Sequence, residues 1–587
     1  MWPWGAFGER GGVVGVALAV APVVLVTLLI GVRGVAAMRT TSDFLVASRR
    51  ISPLVNSAAV SGEYLSAASF LGVAGLVVKD GIGALWYPVG FTAGYIAMLV
   101  LVAAPMRRSG ALTVPDFAEA RLNSPALRRL TAVVVLVIGT IYVVPQFRTA
   151  GLVLTAVGGT PYWVGVVLAG AAVSVTLALG GMRAATYVQA FQFVLKLLLF
   201  LIPAIWLVLQ AGAVNRADAL NPVEFTHFAR ETPVKFEVDV TMEIREPTAV
   251  QRTGVAETLP PGEFTAHSQD QVVFGEGAAV PAVRGGAPLG GAGWQRPLLD
   301  LGDQGYPLLG TWAVLIATML GTMGLPHVLM RFHTSPDGRA ARRTAAITVA
   351  LLGIFYLFPG VYGVLGRVLV PGLYLSGATD TVVVALPYQV DSGWAGGLFT
   401  ALLTAGAFAA FLATSLGLLL VMSGAIAHDL VPGGLRRLRI AVFGVAGVMV
   451  LLALRSAELD AGVLVTWGFT VAASTFCPLL VLGIWWPRLT AAGGIAGVLT
   501  GLVASSGSIL FALAGPPLRG WVAILVQQPA PWSVPLAFGV MALVSLRGRP
   551  PAWSTAAMLR LHLDEPRSTG PRDRSPTVRR LARLLSR

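Results

Sequence analysis

The chain is poor in cysteine and in charge. Among its 587 residues are one cysteine and six histidines, and Asp, Glu, Lys and Arg together make up 12%. Cys477 sits within an apolar run, which excludes a disulfide framework and a thiol metal site. The histidines are scattered and the glycine pairs never follow a strand, so no zinc, nucleotide or nucleophile constellation forms and no catalytic group is expected. With 55% hydrophobic residues and a mean hydropathy of +0.75, too few polar groups remain to cover a water-facing surface. The solvent these residues require is a lipid bilayer.

The apolar material falls into stretches near the roughly 20 residues that a hydrocarbon core of about 30 Å demands. Thirteen helices are expected, near 12–36, 52–79, 81–106, 128–157, 161–180, 185–211, 307–331, 344–370, 395–427, 436–455, 460–484, 491–514 and 529–546. Arginines gather at alternate ends: Arg33, Arg39, Arg49 and Arg50 after the first, Arg107, Arg108, Arg121, Arg128 and Arg129 after the third, Arg331, Arg339, Arg342 and Arg343 after the seventh. Arg183, Arg436, Arg437, Arg439, Arg488 and the tail from Arg547 to Arg587 fall on the same side. The positive-inside rule makes that side cytoplasmic, with the N-terminus outside and the C-terminus inside, in a cell (plasma) membrane. A formal charge of +14 could indicate nucleic acid, but the arginines sit at helix ends and form no soluble basic domain. They serve topology and anionic headgroups instead. Residues 1–36 are long for a cleavable signal peptide and lack a small-residue cleavage site, so a retained helix is expected, with 1–51 forming that helix and a cytoplasmic loop.

Residues 212–306 are polar, carry 13 of the 28 acidic groups and read as an extracellular insertion. The alternation in "KFEVDVTMEIRE" fits a short strand, while "GEGAAVPAVRGGAPLGGAGWQ" suggests that much of the segment is poorly ordered. A tolerated surface insertion is the plain reading; a role in gating or partner binding is the other.

Two helices are interrupted. "MLGTMGLPHVLMRFHTS", residues 319–335, meets Gly321, Gly324 and Pro326 inside an apolar run, and "NSAAVSGEYLSAASFLGVAG", five helices earlier, is broken at Gly62. Unwinding is expected near Gly62 to Leu65 and near Gly321 to Pro326. One helix runs outward and the other inward, so 52–211 and 307–484 read as two inverted five-helix repeats, followed by two helices over 485–549 and a basic cytoplasmic tail over 550–587. Unwound backbone is tolerated in a bilayer only where it lines a protein cavity, so paired breaks point to a binding site near the midplane and to transport.

These residues resemble the sodium:solute symporters, and more narrowly their bacterial cation/acetate and monocarboxylate branch. The matching stretches, spread from about Ser42 to Arg549, are "SDFLVASRRISPLVNSAAVSGEYLSAASFLG", "TVPDFAEARL", "GGMRAATYVQAFQ", "GTMGLPHVLMRFHT", "SGAIAHDL" and "VAASTFCPLLVLGIWWPRLTAAGGIAG". The resemblance implies an all-α polytopic LeuT-like fold and uptake of a small organic anion driven by a cation gradient, Na+ being the coupling ion. It places sodium ligands at Gly62 and Leu65 on the first interrupted helix and at Ala410, Ala413 and Thr414 on the ninth helix. Ala413 stands where the family pattern has serine, and Ser415 is the next hydroxyl along. If the coupling ion is H+, Glu63 beside the break is the candidate carrier.

The substrate is expected between the second, fourth, seventh and eleventh helices, where Tyr64, Ser66, Ser69, Tyr142, Gln146, Arg148, Thr318 and Thr322 are the polar groups available. Helix N-termini at the breaks and neutral hydroxyl or amide donors suit a short carboxylate such as acetate. Arg148 is read either as a counter-ion or as a side chain reaching to the outer interface. Trp86 and Tyr87 are read as wall or packing residues, and His327 and Arg331 as serving topology and gating. A symporter for another small solute, of the proline or pantothenate type, is the alternative. A membrane sensor would need a kinase domain, for which the segment after residue 547 is too short.

Overall fold

The computed structural model describes residues 11–34, 40–221, 226–228, 231–236, 239–252, 254–267, 270–287, 290–456, 461–550 and 553–563. Arg39 and most of the basic tail lie outside these residues. Helices dominate: α1 (Gly11–Gly34), α2 (Pro53–Tyr64), α3 (Ala68–Asp80), α4 (Trp86–Leu101), α5 (Pro125–Gly158), α6 (Tyr162–Gln210), α7 (Pro307–Gly324) and α8 (Pro326–His333). Then follow α9 (Gly338–Phe355), α10 (Pro359–Leu369), α11 (Trp394–Gly424), α12 (Leu435–Arg455), α13 (Ala461–Trp485), α14 (Ala491–Ala514) and α15 (Ala530–Arg547). Among the described residues eleven helical stretches are long and apolar enough to cross a membrane, and α2 with α3, bent by 69°, makes up to twelve.

The difference from thirteen lies in α6. Both helices expected there form, over 162–180 and 182–210, but they meet at a kink with no loop between them, so the 49 residues run on as one element. At about 1.5 Å per residue that is about 74 Å, more than twice a hydrocarbon core. Gly181, at φ 52° and ψ −152°, kinks the run in a conformation that a Cβ would strain. Both breaks fall inside the expected stretches, toward their C-terminal ends. Residues Gly62 to Tyr64 are still helical and the chain opens at Leu65 (φ −71°, ψ 76°); Gly321 to Gly324 are helical and the opening falls at Leu325 (φ −68°, ψ 116°). The helix needs its glycines for another purpose, close backbone approach: a Cβ on Gly62 would strike the Gln189 carbonyl of α6, and one on Gly321 would strike that of Phe469 in α13. The hydroxyl-rich α11 is buried continuously from Leu403 to Gly424, as a central helix must be.

The insertion corrects the expectation of poor order. Its described residues contain seven strands, β1 (Thr232–Lys235), β2 (Val240–Ile244), β3 (Thr248–Arg252), β4 (Val255–Leu259), β5 (Gly262–Ala266), β6 (Gln271–Phe274) and β7 (Ala282–Val283). They form two antiparallel sheets, β1-β6-β3-β4 and β5-β2-β7. Within "KFEVDVTMEIRE" the expected strand is β2, whose Val240, Met242 and Ile244 point inward while Glu243 is exposed. The Gly- and Pro-rich stretch after β6 fastens the insertion to the bundle. Trp294, fully buried, lies under the Arg367 guanidinium at 5.1 Å and donates its indole N–H to the Val78 carbonyl at 3.4 Å.

Candidate substrate and ion site

The break after α2 creates polar backbone in the bundle centre, and its local geometry shows which groups are released. In an unbroken helix the Ser66 N–H would bond the Gly62 carbonyl. Here it turns to the Tyr64 carbonyl at 2.7 Å, freeing Gly62. The groups that take up the freed backbone come from three other helices. Lys196 of α6, fully buried, donates its ammonium Nζ to the Gly62 carbonyl at 2.5 Å and the Leu65 carbonyl at 2.8 Å. Thr414 of α11 donates its hydroxyl to the Glu63 carbonyl at 2.5 Å. Gln146 of α5 accepts the Ala67 N–H at 2.9 Å, capping the start of α3, and its amide donates to the Tyr142 carbonyl at 3.3 Å.

Sodium was expected on these carbonyls, and a lysine ammonium sits there. The remaining expected ligands are arranged to match. The Ala413 carbonyl accepts the Gln189 amide at 2.7 Å, Ala410 is buried within α11, and Ser415 Oγ has no partner among the described residues. Glu63, expected as a candidate proton carrier, is instead half of a buried ion pair: its Oε2 accepts Arg331 Nε of α8 at 2.6 Å, and both side chains are 1% exposed. Arg331 also donates to the Thr186 hydroxyl at 2.8 Å and to the Gln189 side-chain carbonyl. Gly417 makes room for the pair, since a Cβ there would overlap the Glu63 carboxylate. Arg331 therefore does more than set topology; it neutralises a carboxylate that burial would otherwise destabilise by several kcal/mol.

The substrate candidates divide. Tyr64, Ser66, Tyr142 and Gln146 gather at the first break: Tyr142 faces Ser66, and its ring lies 5.8 Å from Phe469, which also meets Tyr64 at 6.1 Å. Ser69 bonds the Tyr356 hydroxyl at 2.9 Å, and Thr322 bonds the Tyr64 hydroxyl at 2.7 Å. Thr318 is not part of this group. Its hydroxyl returns to the Val314 carbonyl at 2.7 Å and packs against Gly90 of α4. Arg148 stands two residues beyond Gln146, on another face of α5, within electrostatic reach of Tyr162. Trp86 donates to the Pro297 carbonyl at 2.7 Å, so it fastens the insertion rather than walling a cavity.

One residue, Lys196, was missed by the sequence reading, and another, His327, was read only as serving topology and gating. Lys196 lies inside "FQFVLKLLLFLIPAIW", and a lysine within a membrane helix is itself a signal of function with a partner to be found. His327 follows the breaker Pro326, is 1% exposed, and has no hydrogen-bond partner on either ring nitrogen among the described residues. Its ring lies 5.4 Å from that of Tyr142. A buried imidazole left unpaired between two breaks is a candidate binding group, because an unmet buried donor or acceptor costs about 1–3 kcal/mol.

A helical bundle with two interrupted helices facing each other across polar side chains is the architecture of a secondary transporter. The chain belongs to the sodium:solute symporter family, whose sequence profile matches residues 44–244 and 307–501, leaving out most of the β insertion. It is 27% identical over 533 residues to a Bacillus subtilis (strain 168) protein named as the uncharacterized symporter YwcA, covering 88% of this chain and 91% of that one. It is also 27% identical over 555 residues to the monocarboxylic acid transporter of Corynebacterium glutamicum, covering 90% of each. A Na+-coupled sialic acid symporter in a substrate-bound outward-open state superposes with a TM-score of 0.64 at 13% identity, covering 91% of this chain and 98% of that one. The fold is accordingly LeuT-like, with two inverted five-helix repeats, and the protein is a multi-span solute symporter.

Proposed function

We propose that the protein takes up a short monocarboxylate, of the size of acetate or pyruvate, together with an inward-moving cation. The observation that carries this reading is the polar group between the breaks: Ser66, Tyr142, Gln146 and the unpaired His327, closed off by Phe469 and Tyr64. These are compact neutral donors in a buried, aromatic-walled space, with the first amides of α8 directed to the same region. A carboxylate with one small substituent satisfies them, whereas a bulky or dicationic solute leaves them unmet. Similarity to a named monocarboxylic acid transporter supports the same substrate class. The insertion is then extracellular and the chain sits in the cell membrane with its C-terminus in the cytoplasm, in keeping with the arginine distribution.

The test is uptake of labelled acetate and pyruvate into proteoliposomes containing the full chain, with protein-free vesicles subtracted. Saturable uptake that unlabelled monocarboxylates compete away, and that proline and pantothenate do not, is expected. Competition by proline or pantothenate alone would transfer the site to another solute class.

A further inference from the structure

We infer that Lys196 is a tethered cation standing in for a sodium ion: the chain fills with its own ammonium the carbonyl pair that its family resemblance assigns to the coupling ion. The inference rests on the symport reading only for its transport arm.

Three observations converge. The ammonium lies 2.5 Å from the Gly62 carbonyl and 2.8 Å from the Leu65 carbonyl, so it takes the oxygens that the break makes available. A sodium ion on the same two oxygens would lie within about 4 Å of Nζ, where like-charge repulsion in a partly shielded interior weakens binding by about a thousandfold. Part of the remaining oxygen shell is also taken: Ala413 brings no hydroxyl and its carbonyl accepts the Gln189 amide, which leaves Ser415 Oγ as an unpartnered oxygen among the described residues. An ammonium, with three donors, needs fewer acceptors than a bare hard cation and is satisfied where sodium is not.

The charges around Lys196 give the tethered cation a second consequence. Glu63 of α2 is the charged group acting on it, Arg331 of α8 lies behind Glu63, and α11 presents the Thr414 hydroxyl. With Lys196 charged, these three ionisable side chains carry one surplus positive charge (two cations against one carboxylate). Leu65, which holds the ammonium, directly precedes Ser66 of the substrate group. A carboxylate bound there cancels the surplus, which a buried site strongly favours. Lys196 is thus a positioning and selectivity residue for anions as well as a barrier to sodium.

The test begins without substrate. Thermal unfolding of the purified full chain is compared in sodium chloride and choline chloride of equal ionic strength. No sodium-specific shift is expected for the wild type or for Lys196→Arg, and a sodium-specific rise is expected for Lys196→Ala combined with Ala413→Ser, which vacates the carbonyls and restores the hydroxyl. A sodium-specific rise in the wild type that Thr414→Ala removes would overturn the inference. So would a sodium response in Lys196→Arg. In proteoliposomes, pyruvate uptake within about twofold of its sodium value is expected in sodium-free medium, together with accumulation under an inwardly directed proton gradient above that of protein-free vesicles. Uptake that vanishes without sodium would overturn it. If pyruvate is not carried in either medium, the substrate reading fails and the thermal comparison still decides the role of Lys196.

Discussion

At the first interruption, between α2 and α3, groups from distant helices hold the backbone: Lys196 on two carbonyls, Thr414 on a third, Gln146 on the Ala67 amide. At the second, between α7 and α8, the tie is a long Leu325 to Thr322 bond of 3.4 Å, and the next side chain, His327, is buried without a partner. The first break also bends its span by 69°, whereas 307–333 continues as a single span. Equal breaks in the sequence therefore serve unequal ends. One has been closed by the protein's own charges and amides and sets the electrostatics of the centre; the other leaves a buried imidazole unpartnered among the described residues, the group that the proposed function gives to the substrate.

The largest effect that would break this contrast comes from the ion pair. Arg331→Met leaves the Glu63 carboxylate buried and unpaired, and a loss of about 3–5 kcal/mol in unfolding free energy is expected, read as a steep fall in thermal stability. Glu63→Gln with Arg331→Met should recover most of that loss, since a neutral amide replaces the stranded charge. If the single and double variants unfold alike, the pair does not organise the first break.

The next effect sharpens the contrast. His327→Ala should raise the half-saturating monocarboxylate concentration about tenfold, equivalent to about 1.4 kcal/mol, with little change in thermal stability. Gln146→Ala, by uncapping α3, should lower stability by about 1 kcal/mol as well as weakening uptake. Equal stability losses at the two positions would show that both breaks are structural.

The smallest effect lies at the loop helix 114–122. Burial pushes the Asp116 carboxyl up, but the His428 imidazole, whose Nε2 stands 3.9 Å from Oδ2, the hydrogen bond from the Leu112 amide and Arg128 beside it outweigh this and hold it at about 2. Its contribution to stability is complete above the ordinary carboxylate range and is lost as pH falls from about 4 toward 2. Asp116→Asn should cost about 1 kcal/mol or less at neutral pH, and nothing once the acid is protonated. A variant whose deficit persists at pH 2 would assign the loss to packing instead.

What the sequence made legible follows from locality. Apolar runs, glycine and proline breakers and the spacing of two breaks are local signals, and they located both interruptions to within a few residues. The pairings were hidden because Glu63 meets Arg331 across 268 residues and Lys196 meets Leu65 across 131. No periodicity records such partners. Lys196 was nevertheless conspicuous by chemistry, a full charge in an apolar helix, and Ala413 beside an empty hydroxyl position was its counterpart. Thr318 and Arg148 went astray because hydroxyl and charge were counted without helical phase. The insertion was misread for a different reason: its glycines and prolines mark turns between short strands, and alternation over four or five residues gives too brief a signal to separate a sheet from a loop.

The attachment of that insertion ties its surface to the inside of the bundle. Trp294 is wedged against the backbone at Gly81, the Ala287 N–H bonds the Lys79 carbonyl at 2.9 Å, and the Tyr374 hydroxyl bonds the Ala287 carbonyl at 2.8 Å. The β insertion is therefore a flag fixed to the outer end of α3, the half-helix whose inner end carries the break. A spectroscopic label on an exposed strand residue such as Glu257, paired with one on α14, would report the tilt of that half-helix at each step of a transport cycle without disturbing a single buried group.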